Sequence, residues 1–239
     1  MLSSPPSAPL EFASSYVQYV VENAGELIEL LIEHALITAQ TVAIAAPLAV
    51  TLGVAITYND RAATVVLWLA GIAMTIPSLA LFGLLVPFLG IGAPPVIFTL
   101  ILYSQLPVIR NTYVGLTGVD EAITEAGRGL GMTQRQRLRN IQIPIALPII
   151  LAGLRNAVVI IVGVAAVGAF IGAGGLGELI FSGIREGDTV AIVVATIVVS
   201  LLALAADYTL ATVEQLLRLR NGDDIERKVS TRLVWRALA

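Results

Sequence analysis

"EAGRGLGMTQRQRLRNIQIP", Glu125 to Pro144, holds four arginines (Arg128, Arg135, Arg137 and Arg139) between flanks that are almost wholly apolar. How this polar stretch folds decides how the apolar runs on either side are counted and oriented. Asp120 stands where a capping carboxylate would open a short helix, and Glu121 and Glu125 suit the positive end of that helix dipole. Gly129 and Gly131 then offer the left-handed backbone that ends a helix. Thr133 and Gln136 have the spacing of a capping box for a second short helix, which is expected to stop before Pro144. The stretch therefore reads as helix, glycine turn, helix. Both pieces are too polar to span a membrane and too short to fold alone.

The rest of the chain supplies the contrast. Of its 239 residues 57% are hydrophobic and 13% charged, with a mean hydropathy of +0.88. Soluble domains run nearer 45–50% apolar and about 25% charged, so these values place the chain among integral membrane proteins. It has no cysteine, which excludes a disulfide framework, a thiolate metal site and a cysteine nucleophile. Residues 1–60 lack Lys and Arg, so they offer no basic region of the kind that opens a secretory signal, and the N-terminus is expected to be retained.

A helix needs about 20 apolar residues to cross the hydrocarbon core. The apolar runs divide into five such spans, near 36–58, 62–88, 96–113, 146–170 and 189–212, the second broken at Pro77. "GIGAPP" (Gly90–Pro95) makes the turn between the second and third. Ahead of them, residues 1–15 read as disordered or extended, and Val17, Val20, Val21, Ala24, Leu27, Ile28 and Leu31 follow helical spacing as an amphipathic helix on the bilayer or the bundle. Cytoplasmic loops gather basic residues. Placing the insert inside puts 13 of the 14 basic residues on that side and leaves only Arg185 out. The expected organisation is thus an external segment 1–35, a membrane domain 36–212 with a cytoplasmic insert 117–145, and a basic cytoplasmic tail 213–239.

Glu125-Ala126-Gly127, then Gly131, then Ile141-x-Ile143-Pro144 resembles the EAA-x3-G-x9-I-x-L-P signature of permease subunits of binding-protein-dependent ABC importers. The sequence departs at Gly127, where Ala is usual, and at Ile143, where Leu is usual; Gly127 weakens its helix by up to about 1 kcal/mol. "TIPSLALFGLLVPFLGIG" (Thr75–Gly92), "LPVIRNTYVGL" (Leu106–Leu116), "LPIILAGLRNA" (Leu147–Ala157) and "AFIGAGGLGELIFSGI" (Ala169–Ile184) are similar to the branch that imports glycine betaine, choline, carnitine or proline. The resemblance implies an all-α polytopic bundle with the type I (MetI-like) permease fold, in the plasma membrane of a prokaryote. It also implies that Glu125, Ala126, Gly127, Gly131, Ile141, Ile143 and Pro144 form the element that docks on the ATPase. The partners it implies are ABC ATPase subunits, a second permease subunit (identical or sibling), an extracytoplasmic substrate-binding protein and membrane lipid, with no nucleic acid. Methionine or another amino acid is the alternative cargo. A stand-alone secondary transporter would need intramembrane carboxylates or an internal repeat, and neither is evident.

Other motifs are weaker. "GAGGLG" (Gly172–Gly177) satisfies G-x-G-x-x-G, but it follows a membrane span rather than a strand and reads as a tight or re-entrant turn. No Walker A pattern occurs and Lys228 is the sole lysine, so the chain carries no phosphate cradle of that kind; the resemblance implies no cofactor on this chain, with ATP and Mg bound by the partner ATPase. His34 is the sole histidine and is expected at the outer end of the first span, not in a metal site. Pro77-Ser78 interrupts a span and is a candidate for the translocation path; a kink that serves packing alone fits it equally.

Overall fold

A computed structural model describes residues 9–220. The expectations for residues 1–8, and for the basic residues beyond Arg220, lie outside the described residues. Among the described residues every regular element is helical: α1 (Pro9–Glu22), α2 (Ala24–Ile56), α3 (Asp60–Thr75), α4 (Ser78–Leu89), α5 (Ala93–Thr117), α6 (Glu121–Gly129), α7 (Gln134–Arg137), a π-turn (Leu138–Gln142), α8 (Ile143–Gly168), a 3-10 turn (Ala169–Ile171), α9 (Gly177–Glu186) and α10 (Thr189–Arg220). This is the all-α membrane bundle that the composition requires. Four helical stretches are long and apolar enough to cross a membrane, and α3 with α4 makes a fifth if the bent pair counts as one span.

The sequence places the break in that pair correctly. α3 and α4 meet at 95° around Ile76 and Pro77, because proline lacks an N–H and holds the preceding residue extended (Ile76, φ −72°, ψ 127°). A broken helix in lipid leaves carbonyls without partners. The Tyr103 hydroxyl, on α5, donates to the freed Ile76 carbonyl. The turn at "GIGAPP" also forms, with Gly90 (φ +81°) and Gly92 (φ +106°) closing α4 and the prolines inside the first turn of α5.

The N-terminal region differs from expectation. Residues 9–15 are helical, not extended, and the amphipathic stretch is divided at Asn23 between α1 and α2. α2 then runs unbroken from Ala24 for 33 residues, about 50 Å at 1.5 Å per residue, so the helix is longer than the apolar run that starts at Leu36. The glutamates at 26, 29 and 33 do not stop it, since a helix that outruns the hydrocarbon can carry carboxylates on its first turns.

The described residues fall into two compact units, 9–41 with 77–100 and 162–203, and 42–76 with 101–161 and 204–220. In the first, Leu27 and Leu30 are buried with Leu176, Leu179, Val194 and Ala195, and Tyr16 and Tyr19 pack against them. In the second, Ala49, Ile56 and Ala63 are buried with Val108, Ile109 and Ala157. Close helix approach there rests on missing side chains, as is usual where lipid offers no hydrophobic drive. A Cβ on Gly53 would stand 2.5 Å from the Thr112 Cβ, and one on Gly153 would stand 2.7 Å from the Pro107 carbonyl.

Candidate functional site

The insert lies wholly within the second unit and is built from short-range bonds. The Asp120 carboxylate accepts from the Ala122 N–H at 2.8 Å and opens α6. At the other end Gly131 takes the left-handed conformation (φ +81°), its N–H bonds the Arg128 carbonyl at 2.9 Å, and the Met132 N–H reaches the Gly127 carbonyl at 3.1 Å. These paired bonds are a Schellman cap, and they need a residue without Cβ strain at position 131. Gly129, also a candidate for that role, is the last residue of α6 instead. Thr133 and Gln136 form the expected capping box at the start of α7.

The second helix does not stop before Pro144. The chain continues from α7 through the π-turn into α8, with the Ile143 N–H bonded to the Leu138 carbonyl five residues back. In a regular α-helix the Pro144 ring would strike the carbonyl four residues earlier. The wider turn relieves that clash, so proline re-routes this helix rather than ending it.

The fold brings the two halves of the motif together. Gly127 is buried, and a Cβ placed on it would lie 2.7 Å from Ile141 Cδ1 and 3.3 Å from Met132 Sδ. The departure from alanine at this position thus makes room for Ile141. Glu125 faces out, paired with Arg128 at 3.4 Å with both side chains more than half exposed. Such a pair contributes at most about 0.5 kcal/mol. Arg128, Arg135 and Arg139 are exposed, while Arg137 donates to the Met132 carbonyl at 2.8 Å and braces the turn. Beside the insert an open cavity of about 420 Å³ is lined by Tyr58, Glu121, Glu125, Gln134, Arg137 and Gln142.

Pro77 caps α4 and Ser78 begins it, at the 95° bend. A second cavity of about 440 Å³, also in the second unit, is lined by Met74, Leu106, Pro107, Arg110, Asn111 and Asn156; neither Pro77 nor Ser78 is part of its wall. Arg110 and Asn156 share its wall, although no motif links them.

The first unit contains the other glycine-marked break. Gly172, Gly174 and Gly175 all have positive φ, as expected for a tight turn. Their partners lie far away in sequence. The Glu33 carboxylate accepts from the Gly175 N–H at 2.8 Å, and a Cβ on Gly174 would overlap that carboxylate. His34 is not at a helix end: it is fully buried, because α2 starts at Ala24 and carries it nearly three turns inward. Its Nε2 lies 3.1 Å from the Val162 carbonyl, which can only accept, so Nε2 carries the proton. Nδ1 is then an acceptor without a hydrogen-bond partner among the described residues.

Arg155 and Asp207, ionisable residues within apolar runs, meet each other. The Arg155 Nε and Nη2 donate to the two Asp207 oxygens at 2.9 and 3.0 Å, and Nη1 donates to Glu214 at 2.7 Å. Periodicity could not have paired residues 52 and 59 positions apart. The available signal was weaker: an arginine and an aspartate inside apolar runs require partners. Among the described residues no group of three His, Asp or Glu side chains is placed to hold a metal ion.

Residues 45–219 fit the family model described as binding-protein-dependent transport system inner membrane component. The chain is 43% identical over 199 residues to the osmoprotectant import permease protein OsmW of Salmonella typhimurium, covering 81% of this chain and 93% of that one. It is 38% identical to the choline transport system permease protein OpuBB of Bacillus subtilis, covering 83% and 92%. It is 43% identical to the carnitine transport permease protein OpuCD of Listeria monocytogenes, covering 84% and 91%. In fold it is similar to a chain of the inward-facing MetNI methionine ABC transporter, with a TM-score of 0.71 at 21% identity over 80% of this chain and 95% of that one. The matched residues run from within α2 through the insert and the Arg155 network, and the chain belongs to the family of binding-protein-dependent transport system inner membrane components.

Proposed function

We propose that this chain is the membrane subunit of an ATP-driven importer that carries a quaternary-ammonium or related compatible solute, such as glycine betaine, choline or carnitine, into the cell. The observation that carries the cargo is the agreement among relatives 38–43% identical over more than four-fifths of this chain, which are named for osmoprotectants, choline and carnitine. In this reading the insert docks on a separate ATPase subunit through Glu125, Ala126, Gly127, Gly131, Ile141, Ile143 and Pro144. Its geometry supports the role: a capped helix–turn–helix with Glu125 exposed, whose second helix continues into a membrane helix without a break. Two permease chains form the path, with Pro77-Ser78 at its broken helix, and a binding protein delivers solute from outside. Residues 1–35 are external, 36–212 form the permease domain, and 213–239 are a cytoplasmic tail.

ATP binding draws the ATPase pair together, the docked inserts move with it, and the bundle exchanges inward for outward access through the differential stability of its two states. The test is reconstitution of the permease with its ATPase and binding protein in vesicles. ATP-dependent uptake of labelled choline or glycine betaine is expected, and uptake of methionine instead would overturn the cargo. Glu125→Lys should abolish uptake while leaving membrane insertion intact; full uptake by that variant would make the insert an ordinary loop. Single cysteines at Ser7 and Ser230, on the cysteine-free background, test orientation. Labelling at Ser7 alone in intact cells is expected, and labelling at Ser230 would overturn it.

A further inference from the structure

We propose that Arg155 is a positioning residue that makes α10 follow the insert. This rests on the reading of the insert as the ATPase contact. Three observations lead to it. The first is continuity: from Gln134 the chain runs as α7, π-turn and α8 to Arg155 with no non-helical residue between, a rod of roughly 30 Å. A displacement at the insert therefore reaches Arg155.

The second is the shape of the contact. Asp207, Ala211, Glu214 and Arg218 recur along α10 at the spacing of one helix stripe. Ala211 in the middle of the stripe is buried. The Arg155 guanidinium meets this stripe as a fork, two bonds to Asp207 and one to Glu214. Arg218 closes the far side, donating to the other Glu214 oxygen at 3.0 Å. The four charges sum to zero, and both Glu214 oxygens are used. A planar fork held at three points resists rotation as well as separation, which a lysine's single ammonium would not.

The third is chemistry that stability alone does not demand. Glu214 is only 7% exposed, and withdrawing ionised groups from water costs about as much as their pairing returns. The two apolar clusters described for this unit, around Ile109 and around Ala146, take their side chains from α2, α3, α5, α8 and the π-turn, with none from α10. A directional polar contact between α8 and α10 fits a helix that must keep its register while its neighbour moves.

The experiment uses the full complex in vesicles and reads solute uptake per ATP hydrolysed, together with the amount of assembled complex. Asp207→Asn keeps volume and one acceptor, and Arg155→Lys keeps charge without the fork. Both variants should assemble and hydrolyse ATP, but with uptake per ATP reduced about tenfold, within the 5–150-fold range of ordinary coupling between sites. The exchange Arg155→Asp with Asp207→Arg should recover part of that loss. Wild-type stoichiometry in either single variant overturns the proposal. So does a loss of uptake that merely tracks lost assembly, including failure of both variants to assemble. Wild-type vesicles without ATP-driven uptake would overturn the importer reading itself and this inference with it.

Discussion

The insert and the Gly172–Gly177 turn are both breaks marked by glycines, yet only the second is also held from a distance. In the insert every bond that shapes the turn is local: Asp120 to Ala122, Gly131 to Arg128, Met132 to Gly127, Thr133 to Gln136. The second turn has a local cap of the same kind, Gly172 to Ala169 and Ala173 to Gly168, but it is also clamped from more than a hundred residues away, by the Glu33 carboxylate on Gly175 and the His34 ring beneath it. Gly131 has positive φ and open space where a Cβ would go, so it is needed for conformation alone. At Gly177 a Cβ would fall 2.0 Å from the Ala166 carbonyl, so that glycine is needed for room. The same residue type thus answers two different demands. A local turn can be moved as a unit by a docked partner, whereas a clamped turn is tied to the helix that clamps it.

The largest effect that would test this contrast is expected at Gly177→Ala. The obstacle there is backbone, which cannot step aside, and the cost should be about 3 kcal/mol, the upper end for overpacking. A melting temperature in detergent within a degree or two of wild type would remove the claim that the turn is set by close approach. Gly131→Ala should cost less, about 1–2 kcal/mol, since only the left-handed backbone is penalised. Hydrogen exchange should show faster protection loss at the Met132 amide and none at Gly175; a rise at both would mean that the two breaks are not independent.

Glu33→Gln sharpens the other side. The amide oxygen still accepts from Gly175, but the charge assistance is lost, so the effect should be about 1 kcal/mol and confined to exchange at residues 172–177. The smallest change is expected at Gly127→Ala. Helix propensity gains up to about 1 kcal/mol, and the contact with the mobile end of Ile141 takes back a similar amount. Adding Ile141→Val should turn the net effect stabilising, because it removes the Cδ1 atom that the new methyl meets. If the double variant is less stable than Gly127→Ala alone, Ile141 packs for another reason.

These positions also show how far the sequence could be read. The caps at Asp120 and Thr133, the left-handed Gly131 and the kink at Pro77 all depend on residues within a few positions of each other, so spacing alone exposes them. Spacing does not expose how far a helix continues: the π-turn carries the chain past Pro144, and α2 begins ahead of the apolar run and carries His34 into a buried position.

What the sequence by itself determined is the class of the protein and its local punctuation. High apolar content excludes a soluble fold, and caps, glycines and prolines act through bonds of three to five residues. What only the tertiary structure decided is which distant groups meet: Arg155 with Asp207 and Glu214, Glu33 with Gly175, Tyr103 with the Ile76 carbonyl. The physical reason is that an apolar surround makes a partner obligatory for each buried polar group without naming it. The helix packing names it, by setting which faces come within hydrogen-bond reach.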